Sequence, residues 1–239
     1  MLNVNQLIGF GAGDSAPSGP HLVGQQVEAR QGAAGGTFSL DFALTGGVAA
    51  TPKAGDVVVI ALVHTSNTNH DLSVSGYTEI SDLYSNAGND TNFGMYYKVM
   101  PSTPDTSVTL PYSNHEQNAS AYAISVWRNI DQTTPLDVTR TTATGTGSMK
   151  ANPPSITPTT PGAVIIAAGG GCSTGTAEYT SSNLTDFVTI ISDDTYDSTI
   201  GMGYHIWESG AFDPALFGGG VANNANYSWA ATTIALRPA

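Results

Sequence analysis

The five residues Gly171 to Gly175 read GCSTG, a literal G-x-S-x-G that follows an apolar run. Asp193, Asp194 and Asp197 come next, then His205. That is the Ser, Asp, His order of hydrolases whose nucleophile, here Ser173, sits on a sharp elbow. The elbow needs a helix after the serine, inside an alternating β/α chain. Here TGTAEYTSSN follows instead, and no βαβ pattern occurs anywhere. The favoured reading is a Gly/Ser/Thr turn after a buried strand. A serine hydrolase using Ser173 is the weakest of three functional readings.

The stretch IGMGYHIW, residues 200–207, sets a histidine between a tyrosine and a tryptophan. Strand alternation puts Met202, Tyr204 and Ile206 on one face and Gly203, His205 and Trp207 on the other. His205 and Trp207 are therefore expected on the outside, in reach of a glycan or a neighbouring subunit. The acids of SDDTYDS could offer oxygen ligands to calcium, but they lack the spacing of a calcium loop; solvated loop acids are the ordinary reading. His21, His64, His70, His115 and His205 show no zinc spacing, although His64 and His70 flank one loop. Tyr112, Trp127, Trp207 and Trp229 could stack on sugar rings, yet such residues on strands more often pack in cores. The sequons at Asn89, Asn118, Asn183 and Asn226 are expected by chance in so Asn-, Ser- and Thr-rich a chain. No catalytic residue, metal ligand or cofactor is assigned.

The elements that must position these groups are strands. Runs such as FSLDFAL, DVVVIALV, FGMYYKV, SAYAISVW and AVIIAAG alternate with Gly/Pro/Asn/Asp/Ser clusters, and no helical periodicity is sustained. Many short strands with frequent turns indicate an all-β sandwich or barrel. The chain also repeats itself. Adding 107 to the residue number lays Gly55–Val59 on Gly162–Ile166, Ser75–Ile80 on Ser182–Phe187, and Phe93–Val99 on Ile200–Ile206. With two residues inserted, SAYAISVWR ending at Arg128 falls on WAATTIALR ending at Arg237. His205 then takes the place of Lys98, while Met95, Tyr97 and Val99 face inward and Tyr96, Lys98 and Met100 outward. Two packed domains and one duplicated sandwich both fit. One sandwich is favoured, because a half with about four strong strands would be marginal alone. The expected organisation is an arm over residues 1–20 and a jelly-roll-like antiparallel sandwich over 21–239, with the repeat at 50–130 and 157–239.

Of 239 residues only 11% are charged, against the roughly 25% of an average domain. Lys and Arg number 7 against 19 acids, for a net charge of −12, and the basic residues form no cluster. Nucleic acid and anionic membranes, which need such clusters, are not expected partners. The single cysteine, Cys172, excludes an intrachain disulfide framework. No run reaches the 18 or more apolar residues of a membrane helix. The start, MLNVNQLIGFGAG, lacks the basic residues of a secretory signal. Its apolar residues Leu2, Val4, Leu7, Ile8 and Phe10, ahead of a Gly/Ser/Pro tether, suit an arm that docks on a neighbouring subunit or one that folds back on its own domain.

AGDVVVIALV, SGYTEISDL, FGMYYKV and SAYAISVWRNIDQTTPLDV, with the closing WAATTIALRPA, resemble a β-sandwich module of tailed-phage and bacterial structural proteins. The resemblance covers about residues 50–239. It implies a non-enzymatic virion protein of the decoration, head-fibre or tail-fibre kind, made in the host cytoplasm, with other virion proteins as partners. A homo-oligomer is expected, and a trimer is the first choice because such proteins sit on symmetry axes. The resemblance carries no catalytic residue. The alternative is a module that binds a carbohydrate or host receptor through exposed aromatics.

Overall fold

The computed structural model describes residues 18–31, 36–112, 119–173, 177–192 and 197–239. The arm residues Leu2, Val4, Leu7, Ile8 and Phe10 lie outside these, as do His115, Asn118, Asp193 and Asp194. The described chain is all-β: β1 His21–Gln31, β2 Gly36–Asp41, β3 Val57–Ser66, β4 Thr78–Ser85, β5 Asp90–Val99, β6 Ser107–Tyr112 and β7 Ala119–Arg128. The second half follows with β8 Thr141–Thr146, β9 Val164–Ser173, β10 Tyr179–Thr180, β11 Thr185–Ser192, β12 Asp197–Ile206, β13 Gly218–Gly219 and β14 Ser228–Leu236. Two five-stranded antiparallel sheets, β1-β7-β3-β5-β4 and β8-β14-β9-β12-β11, pack face to face as a β-sandwich.

Each half of the chain builds one whole sheet. β3, β4 and β5 recur as β9, β11 and β12 at an offset of 107 residues, and β7 recurs as β14 at 109. Details recur too. Gly55 (φ +81°) and Gly162 (φ +80°) make the left-handed turn ahead of β3 and β9. The register slips between Glu79 and Ser81 against β5, and at the matching place between Thr185 and Val188 against β12. The edge strands β1 and β8 were not legible as strands. HLVGQQVEARQ and TTATGT carry little apolar content and are held by pairing with β7 and β14.

The central strands are apolar on both sides because both of their faces are buried. Inward-facing Val57, Val59, Ala61 and Val63 meet Val164, Ile166, Ala168, Ile200 and Met202 between the sheets. Outward-facing Val58, Ile60, Leu62, Tyr96 and Met100 are covered by the β2–β6 ribbon, through Leu40, Val108 and Leu110. This corrects the expectation that Tyr96 and Met100 lie outside. On the other sheet, Met149, Ala151, Tyr179, Phe217 and Tyr227 form one outer cover, and Ile156 with Trp207 forms another.

Repeat counterparts meet across the sheets. Val63 and Gly170 are 107 apart, and a Cβ on Gly170 would stand 2.6 Å from the Val63 Cβ. Thr65 and Cys172 are also 107 apart, and the Thr65 hydroxyl lies 3.0 Å from the Cys172 sulfur. Thr65 also meets Ser198 at 2.7 Å. Thr91 Oγ1 donates to the Ser228 carbonyl (2.9 Å), and its counterpart Ser198 Oγ donates to the Ala119 carbonyl (2.8 Å), counterpart of Ser228. The two sheets are thus related by a pseudo-dyad that passes between Val63 and Gly170 and between Thr65 and Cys172. Burial raises the Cys172 thiol to about 11, so it is a packing group rather than a nucleophile.

The crossover from the first half to the second forms a clasp. Arg128 grips the buried Asp56 with two bonds of 2.8 Å. Asn129 adopts φ +61°. The chain end then pairs along the crossover: Asp131 N–H to Arg237 O (2.9 Å), Arg237 N–H to Pro135 O (2.8 Å) and Asp137 N–H to Ala235 O (2.8 Å). The Asp137 carboxylate is enclosed, which by itself would raise its pKa. Bonds from the backbone and hydroxyls of Thr159 and Thr160 outweigh that and hold it at about 2. Arg237 Nε adds a contact of 3.3 Å.

The dyad makes a direct prediction. Gly170→Val should destabilise the fold by about 3 kcal/mol, since the added side chain has no room. Adding Val63→Gly should return part of that loss, because the two positions face one another. Urea denaturation of the single and double variants checks this, and strictly additive losses would refute it.

Candidate functional site

The sequence-derived candidates separate cleanly in space. Trp207, expected outside, is buried at 9% exposure in the outer cover of the second sheet, with Nε1 donating to Gly210 O at 2.8 Å. His205 is half-buried and lies flat on Phe212, centroids 4.1 Å apart and planes 8° apart. The expectation that this face of β12 is open is therefore corrected: residues 207–217 fold back over it. Trp127 is core, edge-on to Tyr204. Trp229 lies over Gly145 of β8, where a Cβ would come within 2.5 Å of the indole. Asp197 of the acidic run is buried. Gly171 of GCSTG abuts the Tyr179 hydroxyl and Met149 O, each 2.4 Å from where a Cβ would be. That glycine serves close packing of the outer cover, not a nucleophile elbow.

Tyr112, like Trp229, is half-buried. It ends β6, directly across from Gly36 of β2. A Cβ at Gly36 would stand 3.2 Å from the Tyr112 hydroxyl, so the ring lies across the glycine. One side of Tyr112 faces a cavity of about 180 Å3 lined by Gly36, His64, His70, Asp71, Leu72 and Pro111. A neighbouring pocket of about 290 Å3 is lined by Tyr112, Phe38, Thr37, Arg30 and Gln31. There the Arg30 guanidinium sits 4.2 Å from the Phe38 centroid, a cation–π contact, and 3.2 Å from Glu28.

His64 sits at the cavity's buried side, on the same face of β3 as Leu62 and Ile60. It is 3% exposed and edge-on to Tyr122 at 6.1 Å. Burial holds its pKa down at about 3, against the opposing pull of its bond to the Pro111 carbonyl; His70 lowers it further. The ring is therefore neutral. Its Nε2 has no hydrogen-bond partner and is shut off from solvent. An unpaired buried acceptor costs about 1–3 kcal/mol.

The opposite wall, residues 67–72, is stapled in place. Asn92 of β5 accepts from His70 N–H (2.8 Å) and donates to Thr68 O (3.1 Å). Tyr96 OH donates to Leu72 O. Ser66 Oγ lies 2.7 Å from His70 Nε2, the separation of a nucleophile and its base. Thr68 closes on the same two atoms, with its N–H 3.3 Å from Ser66 Oγ and its hydroxyl 3.1 Å from His70 Nε2. Ser66 is 2% exposed, so this geometry ties the loop. Among the described residues no group of three or more His, Cys, Asp or Glu is placed to hold a metal ion.

Sequence reasoning had marked Tyr112 as a stacking candidate and His64 with His70 as flanking one loop. It had no signal that the two line one cavity, because the β2–β6 ribbon brings Tyr112 there from a position 48 residues away. No protein-family model, curated protein or solved structure matches the chain.

The lowered pKa of His64 fixes a sign. Below its ordinary value of 6.5 the unfolded chain takes a proton that the folded chain refuses until about pH 3. Stability is therefore lost as pH falls through that window, by up to about 1.4 kcal/mol per pH unit. Asp82, raised to about 6 mainly by burial and then by Glu79, works in the opposite sense between its ordinary value of 3.8 and about 6. Comparing the wild type with His64→Gln cancels that contribution. Denaturant midpoints from pH 7 to pH 4 should fall more steeply for the wild type, and parallel curves would refute the assignment.

Proposed function

We propose that this chain is a non-enzymatic structural component of a phage particle, tethered by residues 1–20 and presenting the loops of its sandwich. The observation that carries the reading is where its motif residues go. Arg128, Asn129, Asp131, Pro135, Leu136, Asp137 and the terminal LRPA are among the residues of the phage-module resemblance. They meet in the clasp, which locks the crossover to the chain end. Motifs spent on holding two sheets together suit a part whose task is shape and endurance.

The sandwich supports the same reading. Both outer faces carry a second layer over part of the sheet, so much of the core is buried between three layers or more. A surface solvated by hydroxyls and amides, with 11% charged residues, needs no particular counterion environment. Partners are other virion proteins, and the module assembles as a homo-oligomer on a symmetry axis, a trimer being the first choice.

Deletion of residues 1–12 tests the tether. Particles assembled with the truncated chain should carry much less of it than particles made with the full chain, at equal expression. Undiminished incorporation would overturn the reading.

A further inference from the structure

The hydrogen-bond direction along β14 leaves a row of free backbone groups on β8. Gly147 N–H donates to Tyr227 O and Asp137 N–H donates to Ala235 O, so the odd-numbered residues of β14 bond toward β8 and the crossover. Their partners Thr141, Ala143 and Gly145 therefore bond inward. Thr142, Thr144 and Thr146 alternate with them and turn their N–H and C=O groups away from the sheet. All three are exposed, and among the described residues β8 pairs with β14 alone. None of the three bonds to any other described residue.

The other three edges of the two large sheets are guarded. Each edge strand carries a bulge: β1 between Leu22 and Gly24, β4 between Glu79 and Ser81, and β11 between Thr185 and Val188. Each also carries a carboxylate, at Glu28, at Glu79 and Asp82, and at Asp186. The 43–50 loop covers part of β1 as well, with Thr45 exchanging both backbone bonds with Gln25. Bulges and charges keep a sheet edge from adding a strand. β8 has neither. TTATGT is uncharged, holds no proline and pairs with β14 in unbroken register. Charge favours the same strip. The chain carries −12 overall, so two copies repel along most approaches. Residues 138–177 contain no acid, and Arg140 and Lys150 lie among them.

We propose that β8 is a self-association edge, at which the β8 strands of two copies pair antiparallel about a two-fold axis and join their second sheets into one. Setting Thr144 opposite its own counterpart places Thr142 opposite Thr146 and engages every free residue of both strands. Like edges meeting this way form an isologous contact, which closes at two copies. The strand offers 6 residues, far fewer than the roughly 20–30 a side of a standard stable interface, so the dimer is weak and forms at high local concentration. The contact does not rest on the particle reading and is separate from any threefold axis, so a failed tether experiment leaves it standing.

The test is sedimentation equilibrium of the full chain over a wide concentration range, with amide hydrogen exchange followed on the same samples. The wild type should pass from one chain mass to two as concentration rises. In the dimer the Thr142, Thr144 and Thr146 amides should exchange more slowly by about tenfold. Thr144→Lys sets two like charges against each other at the axis and should weaken association by about tenfold or more. Thr144 is exposed, so this variant keeps the fold, which an unchanged thermal midpoint verifies. An equal mixture of Thr144→Lys and Thr144→Glu should recover association, because unlike charges then face one another. A wild type that stays monomeric at every concentration would overturn the proposal. So would association undiminished by Thr144→Lys, a mixture no better than its components, or a dimer in which the three amides stay unprotected.

Discussion

The contact between the two sheets at the pseudo-dyad sets the terms for everything else. When two copies of one sheet pack about a dyad, the residue on the axis meets its own counterpart. Two valines at positions 63 and 170 would collide, because even a single Cβ on the second comes within 2.6 Å of the first. The chain resolves this by keeping Val63 and reducing position 170 to glycine. One step along, Thr65 and Cys172 are both small and polar enough to touch at 3.0 Å, with Ser198 joining. Buried hydroxyls have few alternatives to these partners, so a shifted sheet would leave several unpaired. The polar seam thereby fixes the register that an all-apolar interface would leave loose.

Once the sheets are locked, the clasp follows as a mechanical need. The crossover leaves β7 on one sheet and must reach β8 on the other, and the chain end must not fray from β14. Pairing residues 129–137 with 235–239 solves both problems with backbone bonds. Asp137 anchors it by gathering Thr159, Thr160 and Arg237 around one enclosed carboxylate. Asp56 plays the matching part for Arg128, although it comes from a different place in the repeat: position 163, its counterpart, is alanine. The two arginines are repeat counterparts, and each half found its own acid.

The all-β sandwich, the repeat and its offset were legible because they rest on apolar period and turn residues, which are local properties. The edge strands β1 and β8 were not. Their residues are selected by the neighbour they pair with, and polar TTATGT reads as a linker. The two faces of β12 were separated correctly, but the outer one was misread as open. Alternation separates the two faces of a strand but says nothing of a further layer, and here residues 207–217 cover His205 and Trp207. The literal motif GCSTG was set aside in the sequence for want of a following helix. GCSTG matched a catalytic pattern, while its first glycine exists to admit the Tyr179 hydroxyl and Met149.

That same glycine has a chemically different counterpart in the first half. Gly171 is the repeat counterpart of His64, 107 residues apart. In the second half the space above position 171 is filled by Tyr179, whose hydroxyl donates to Met149 O, and the surface is closed. In the first half the equivalent position carries an imidazole, and the layer above that sheet is the two-stranded β2–β6 ribbon. The described part of the ribbon covers Leu62 and Ile60, and His64 is buried beside it with Nε2 unpaired. A duplicated fold needs matching residues wherever packing repeats. It is free to differ where the covering layers differ, and there an unpaired polar atom is retained at a cost to stability. Position 64 is such a place, with a closed and satisfied counterpart in the same chain for comparison.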